Sequence, residues 1–211
     1  MAELLSLNSS LFAEATSSGA YYAVASDNQD NARQLLMRIL KDGNRAPLTE
    51  EQLFSWSGMD SSKNAIQLLY RLQRLNFVRG TDTPKAIPTE NIETTLPGIL
   101  DKLSETGRAL LADDNGFYMA CAGFHHEAAE EIAALAGDIL SLANRHARLL
   151  KNNLNIGSNG WGISDPAGRS ELCFYPLYVG KQIFVLIIGG TPRLQREDFV
   201  TMIQVLSHRY A

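Results

Sequence analysis

The stretch from His125 to about Lys151 constrains this chain more than any other, because it has the length and periodicity of a long helix with two apolar sides. Spacings that alternate between four and three place Ala128, Ile132, Leu135, Ile139, Leu142, His146 and Leu149 on one row. One position further on, about 100° around the helix, run Ala129, Ala133, Ala136, Leu140, Ala143, Ala147 and Leu150. The remaining positions, Glu130, Glu131, Ala134, Gly137, Asp138, Ser141, Asn144, Arg145 and Arg148, are nearly all polar or small, as a solvent-facing side requires. A helix with two apolar rows needs two partners. The bulky row suits packing on the domain's own sheet, and the alanine-dominated row suits close approach of another helix. This half of the sequence offers no other long helix as a mate. The economical partner is the same helix from a second copy about a two-fold axis, with cover by the N-terminal domain or a flanking helix as the alternative.

The elements around this helix are legible. Leu96 to Glu105 reads as a helix, and Arg108 to Ala112 as an apolar strand ended by Asp113-Asp114-Asn115-Gly116. Asn-Gly between two apolar runs is a strong hairpin signal, and Phe117 to Phe124 returns as the second strand. After the long helix, Gly157 to Ile163, Glu171 to Val179 and Gln182 to Ile188 read as three more strands. Gln195 to Tyr210 then closes the chain as an amphipathic helix. Pro176 interrupts the fourth strand, and a proline belongs at an edge or bulge of a sheet.

The front half is mainly helical. Residues 1–29, rich in Ser, Ala and Asn, read as an N-terminal arm or as a helix docked elsewhere. Leu35, Leu36, Ile39 and Leu40 mark a first helix ending at Asp42-Gly43, and Thr49 before Glu50, Glu51 and Gln52 caps a second. Ser61 and Ser62 open a third, with Ile66, Leu69, Leu72 and Leu75 on one face, and Asn76 to Gly80 leaves it as a strand. Three short helices, a strand and a Thr/Pro/Lys turn over residues 30–88 resemble a winged helix-turn-helix domain. Pro84, Pro88 and Pro97 punctuate the linker, set at 89–94, and the second domain spans 95–211.

Composition excludes several functions. A hydrophobic content of 45% with 20% charged residues supports a packed core through most of the 211 residues. The net charge is −4, and the halves before and after residue 94 carry 9 basic against 11 acidic and 10 against 12, so neither binds polyanions by bulk charge. Cys121 and Cys173 sit in strand-like apolar runs and read as buried thiols. No export signal is evident and no run approaches the roughly 20 apolar residues of a membrane span, so a cytoplasmic location is expected. Gly157-Ser158-Asn159-Gly160-Trp161-Gly162 lacks the dinucleotide fingerprint spacing, and a P-loop is absent. His125 and His126 would point about 100° apart on a helix, a poor arrangement for one metal ion. No Ser, Cys or Lys has a nucleophile's setting, and Glu130-Glu131 is simplest as a solvated helix face. The expectation is a chain with no enzymatic activity, no cofactor and no metal.

The element order over 95–211, helix, strand, strand, long helix, three strands, helix, resembles the Roadblock family, which includes dynein light chains and bacterial partners of small Ras-like GTPases. The hairpin Leu110-Leu111-Ala112-Asp113-Asp114-Asn115-Gly116-Phe117-Tyr118-Met119-Ala120 and the alanine-rich helix after it carry the resemblance. The glycine-rich strand near Trp161, Pro176 and the front domain depart from the family unit. The resemblance implies an α+β fold of Roadblock/profilin type, with a five-stranded antiparallel sheet between helices. It also implies dimers in which edge strands join into one sheet while the long helices lie side by side, and a non-catalytic scaffold that binds or regulates a small Ras-like GTPase. The expected dimer interface is Ala129, Ala133, Ala136, Leu140, Ala143, Ala147, Leu150 and Trp161, and the expected partner face is Glu131, Asp138, Arg145 and Arg148.

The alternative is a DNA-binding regulator that uses the second domain to dimerise. Lys63, Gln67, Arg71 and Arg74 on the third helix would reach nucleic acid, with Arg79 and Lys85 on the wing touching phosphate. Residues 30–80 hold 8 basic against 5 acidic side chains, an excess of only three.

Overall fold

The computed structural model describes residues 5–85 and 91–211. The chain divides into two compact units: Met1–Thr89 together with Gln195–Ala211, and Glu90–Leu194.

The first unit contains β1 (Phe12–Ala15), α1 (Ser17–Val24), α2 (Asn31–Asp42), α3 (Glu50–Ser57), α4 (Ser62–Arg74) and β2 (Val78–Thr81), and the chain returns to it with α7 (Glu197–Tyr210). The three helices read from the sequence all form, each fixed by a side-chain cap. Asp30 accepts from the Arg33 amide, Thr49 and Gln52 form a reciprocal capping box, and Ser61 accepts from the Asn64 amide. Gly58 ends α3 in the left-handed conformation at φ 61°.

Of the two readings of residues 1–29, an arm or a docked helix, the docked helix is the one that forms, as α1. Residues 12–24 are integral, with Ala13, Ala15, Ala20, Ala23 and Val24 buried. The Thr16 hydroxyl accepts from the Gly19 amide and donates to the Asn76 carbonyl at 2.6 Å. Gly19 lies so close to the Phe77 backbone that a Cβ there would sit 2.0 Å from its carbonyl oxygen. The expected wing also differs: β2 pairs antiparallel with β1, Phe12 opposite Thr81 and Ala15 opposite Val78, rather than with a following strand. Residues 86–88 of the expected domain lie outside the described residues, and among those described no wing hairpin follows β2.

The boundary expected at 95–211 is corrected at its C-terminal end, because α7 packs with α1 and α2. Phe199, Val200, Met202, Ile203 and Leu206 are completely buried, and the Lys41 ammonium donates to the Ala211 carbonyl. Amphipathic spacing shows that such a helix buries one side, but not which surface receives it.

The second unit runs α5 (Ile92–Lys102), β3 (Arg108–Asp113), β4 (Tyr118–Ala122), α6 (His126–Arg145), a π-helical segment Arg148–Asn153, β5 (Trp161–Ser164), β6 (Ser170–Val179) and β7 (Gln182–Gly189). Its strands form one five-stranded sheet in the order β4-β3-β7-β6-β5, with every pair antiparallel. The expected α+β class stands. Central β7 is buried from Phe184 to Ile188, which is why it reads as an unbroken apolar run. Pro176 pairs with Val185 of β7, and β5 reaches only as far along β6 as Phe174. The proline therefore lies where β6 has a strand on one side only. Pro97 falls inside α5 rather than in a linker, leaving that helix without one backbone donor.

Because α7 completes the first unit, Leu206→Ala should lower its stability by about 2–5 kcal/mol. Hydrogen exchange should then show faster amides in α1 and α2. Unchanged protection there would exclude α7 from that cooperative unit.

Candidate functional site

The two apolar rows of α6 lie opposite to expectation. Ala129, Ala133 and Ala136 are 0% exposed and Leu140 9%, and they form a core with Leu110, Ala112, Phe174, Val185 and Ile187 of the sheet. The alanine row faces the unit's own sheet, so Ala129, Ala133, Ala136 and Leu140 are core residues rather than an external interface. The reason is volume. The sheet already contributes leucine, phenylalanine, valine and isoleucine to this layer, and small helix residues complete it at normal density. Further along the row, Ala143, Ala147 and Leu150 are half-buried and line a shallow cleft of about 50 Å³ with Trp161 and Tyr178.

The bulky row faces outward. Leu135 is 41% exposed, Leu142 40% and Leu149 45%, with Ile132 and Ile139 half-buried between them. His146, expected on a core-facing row, is exposed for the same reason. Apolar exposure continues past the helix at Leu154 and Ile156 and onto β5 at Ile163. The backbone also departs from the regular helix expected up to Lys151: the Leu154 amide donates to the Leu149 carbonyl, five residues back, in the π-helical manner. β5 is an outer strand, with no described strand beyond it.

The third side of α6 carries the β3–β4 hairpin. Gly116 adopts φ 85°, and a Cβ there would approach the Ala134 Cα at 3.2 Å. A Cβ on Gly137 would lie 3.7 Å from the Gly116 nitrogen. Gly116 therefore rests on the α6 backbone at Ala134, while a Cβ at Gly137 would make only ordinary contact with the turn. Asp113 builds that turn. Its Oδ1 accepts from the Asn115 amide at 3.0 Å and the Phe117 amide at 2.8 Å, and its own amide donates to the Phe117 carbonyl at 2.9 Å. Phe117 is left 72% exposed. A bulge between β3 and β4 brings Tyr118 opposite Ala112, and the Tyr118 hydroxyl lies 2.5 Å from Nδ1 of His126 at the start of α6.

Glu131, Asp138, Arg145 and Arg148 are all exposed. By helical angle, Glu131, Asp138 and Arg145 run between the bulky row and the hairpin turn. Charge is segregated along the helix: Glu127, Glu130, Glu131 and Asp138 precede Arg145, Arg148 and Lys151.

In the first unit, Lys63, Gln67, Arg71 and Arg74 form one exposed row on α4. Arg79 and Lys85 are engaged within the protein. Arg79 bonds Glu14 at 2.9 Å and Glu197 at 3.1 Å, while Lys85 bonds Glu197 at 2.7 Å. Spacing along the chain carried no signal of this cluster, since its bonded pairs lie up to 118 residues apart. Both cysteines are free and half-buried. Among the described residues no group of three or more His, Cys, Asp or Glu could hold a metal ion, and no helix is long and apolar enough to cross a membrane.

Comparison with known proteins finds no matching family model and no matching curated protein. Two solved structures are similar. A Roadblock/LC7 domain from Streptomyces avermitilis is 16% identical, covering 57% of this chain and 96% of that one, with a TM-score of 0.39. MglB from Myxococcus xanthus is 18% identical, covering 58% of this chain and 92% of that one, with a TM-score of 0.35.

The hydrogen bond from Lys85, followed by attraction to Lys85 and Arg79, holds the Glu197 carboxyl below the usual glutamate range. A folded value below the unfolded one adds stability that is complete above the unfolded value and is lost as pH falls through the folded one. Because these groups are half exposed, Glu197→Gln should cost only about 0.2–1 kcal/mol at neutral pH. Denaturant melts should show that gap closing below about pH 4. A gap that widens in acid would contradict this assignment.

Proposed function

We propose that this protein is a non-catalytic scaffold whose second unit self-associates about a two-fold axis and docks a small Ras-like GTPase. The exposed bulky row of α6 carries the reading. Leu135 and Leu142 on α6, Leu149, Leu154 and Ile156 after it and Ile163 on the outer strand β5 are all exposed, while Ile132 and Ile139 pack partly against the core; exposed apolar residues in this number mark an interaction surface. Charge segregation favours a second copy as the occupant. In an antiparallel pairing, the carboxylates at 127–138 of one helix oppose the cations at 145–151 of the other. Ala143, Ala147, Leu150 and Trp161 lie at the end of this surface and belong to the proposed seam. Glu131, Asp138, Arg145 and Arg148 stay on the solvent-exposed rim of that pairing, and they are the proposed GTPase-facing residues. The GTPase as partner class rests on the resemblance of the hairpin and helix to the Roadblock family.

A second reading, nucleic-acid binding, is favoured by the exposed α4 row of Lys63, Gln67, Arg71 and Arg74. Arg79 and Lys85 support it less, since their charges are met by Glu14 and Glu197. Salt titration of binding to random duplex DNA separates the two readings.

Sedimentation at protein concentrations below about 0.01 mM should give a dimer for the wild type and a folded monomer for Leu135→Glu/Leu142→Glu. Purified Ras-like GTPases of the native host, loaded with GDP or a GTP analogue, should bind the wild type and lose at least about tenfold affinity for Asp138→Arg/Arg145→Glu. A dimer that survives the first pair of substitutions would overturn the seam, and binding indifferent to the second would overturn the docking face.

A further inference from the structure

The hairpin tip and a cleft of the first unit carry complementary features, and neither Phe117 nor that cleft takes part in the two-fold reading. Residues 109–144 contain six carboxylates, Asp113, Asp114, Glu127, Glu130, Glu131 and Asp138, and no Lys or Arg. Above the acidic side of α6 stands Phe117, 72% exposed, on a turn whose amides are tied to the Asp113 carboxylate and whose glycine rests against Ala134. The backbone that carries this ring is fixed, so binding costs only the ring's own rotamer freedom, which suits a single side chain to act as an anchor.

The first unit holds a half-open, mostly apolar cleft of about 170 Å³, in which Leu11, Ile66, Leu69 and Tyr70 are joined by the polar Gln73 and Arg79. An apolar cavity of about 150 Å³ is known to accept benzene, so the size suits a phenyl ring. Besides Arg79, which is paired with Glu14 and Glu197, residues 61–80 hold the cations Lys63, Arg71 and Arg74 and no carboxylate. The exposed Lys63, Gln67, Arg71, Arg74 row runs along α4 about 100° from the row that lines the cleft. An apolar hole beside cations therefore matches an exposed phenyl ring beside carboxylates.

We propose that Phe117 of one copy of this chain seats in the α4 cleft of another, a head-to-tail contact distinct from the two-fold one. The two surfaces of the contact differ, so each molecule offers one tip and one cleft, and copies can add in series. A contact centred on one ring is weak and concentration-dependent, and unlike charges around it make it salt-sensitive.

The test uses the full-length chain carrying Leu135→Glu/Leu142→Glu, so that the two-fold contact plays no part in the result. Sedimentation equilibrium from about 0.01 to 1 mM should show a weight-average mass that rises with concentration. Raising salt from about 0.05 to 0.5 M should weaken the association several-fold. Phe117→Ser, which removes the anchor, and Gln73→Trp, which fills the cleft from its exposed rim, should each abolish the rise. Mixed together, these two variants should form a complex of two chains, because one retains a working cleft and the other a working tip. A mass that stays at one chain throughout, a rise that persists in Phe117→Ser, or no complex on mixing would each overturn the proposal. In the otherwise unaltered chain, a fluorinated phenylalanine at position 117 provides a second readout. Its resonance should move with concentration and stop moving in Gln73→Trp, and a resonance independent of concentration would refute the contact.

Discussion

The seating of Ala129, Ala133 and Ala136 against the sheet fixes most of what the second unit presents to solvent. Alanine carries no side-chain reach, so α6 lies close to a surface made of Leu110, Phe174, Val185 and Ile187. Once that row faces inward, helical geometry turns Leu135, Leu142 and Leu149 out. It also places Ala134 and Gly137 under the β3–β4 turn, and leaves Glu131, Asp138 and Arg145 on the strip between. The apolar seam, the hairpin platform and the charged strip are consequences of one packing decision.

The first unit depends on contacts between distant parts of the sequence. β1 has no partner until β2 arrives more than sixty residues later, and α7 joins after the entire second unit has been built. The Glu14, Arg79, Lys85 and Glu197 cluster reproduces this in electrostatic form, linking β1, β2, the segment after it and the first turn of α7. Glu197 also stands where the dipole of α7 favours a carboxylate. β1 and α7 are thus structural parts of one unit, although most of the sequence separates them.

Local signals in the sequence were read correctly wherever the physics was local. Thr49 and Ser61 cap the helices that their spacing marked, and Asp113 to Gly116 makes the turn that Asn-Gly announced. The seven buried or half-buried positions of β7 follow from its apolar run. What stayed illegible was tertiary. Period 3.6 separates two rows on α6 but cannot say which faces the sheet. Assigning the larger side chains inward neglected the volume that the strands had already supplied. The strand Phe-Ala-Glu-Ala at 12–15 is too short and too mixed to announce itself, and its partner is remote. Neither the outward position of the bulky row nor the α4 cleft could be read without knowing what packs on what.

The most direct measurement compares Ala133→Leu with Leu135→Ala by urea unfolding, at concentrations low enough that self-association contributes nothing. If the alanine row lies on the sheet, the added bulk in Ala133→Leu overpacks the core and costs about 1–3 kcal/mol. Leu135→Ala should then stay within about 0.5 kcal/mol of the wild type, as a surface substitution does. A large loss for Leu135→Ala beside a neutral Ala133→Leu would mean that the bulky row faces the sheet, and would contradict the account.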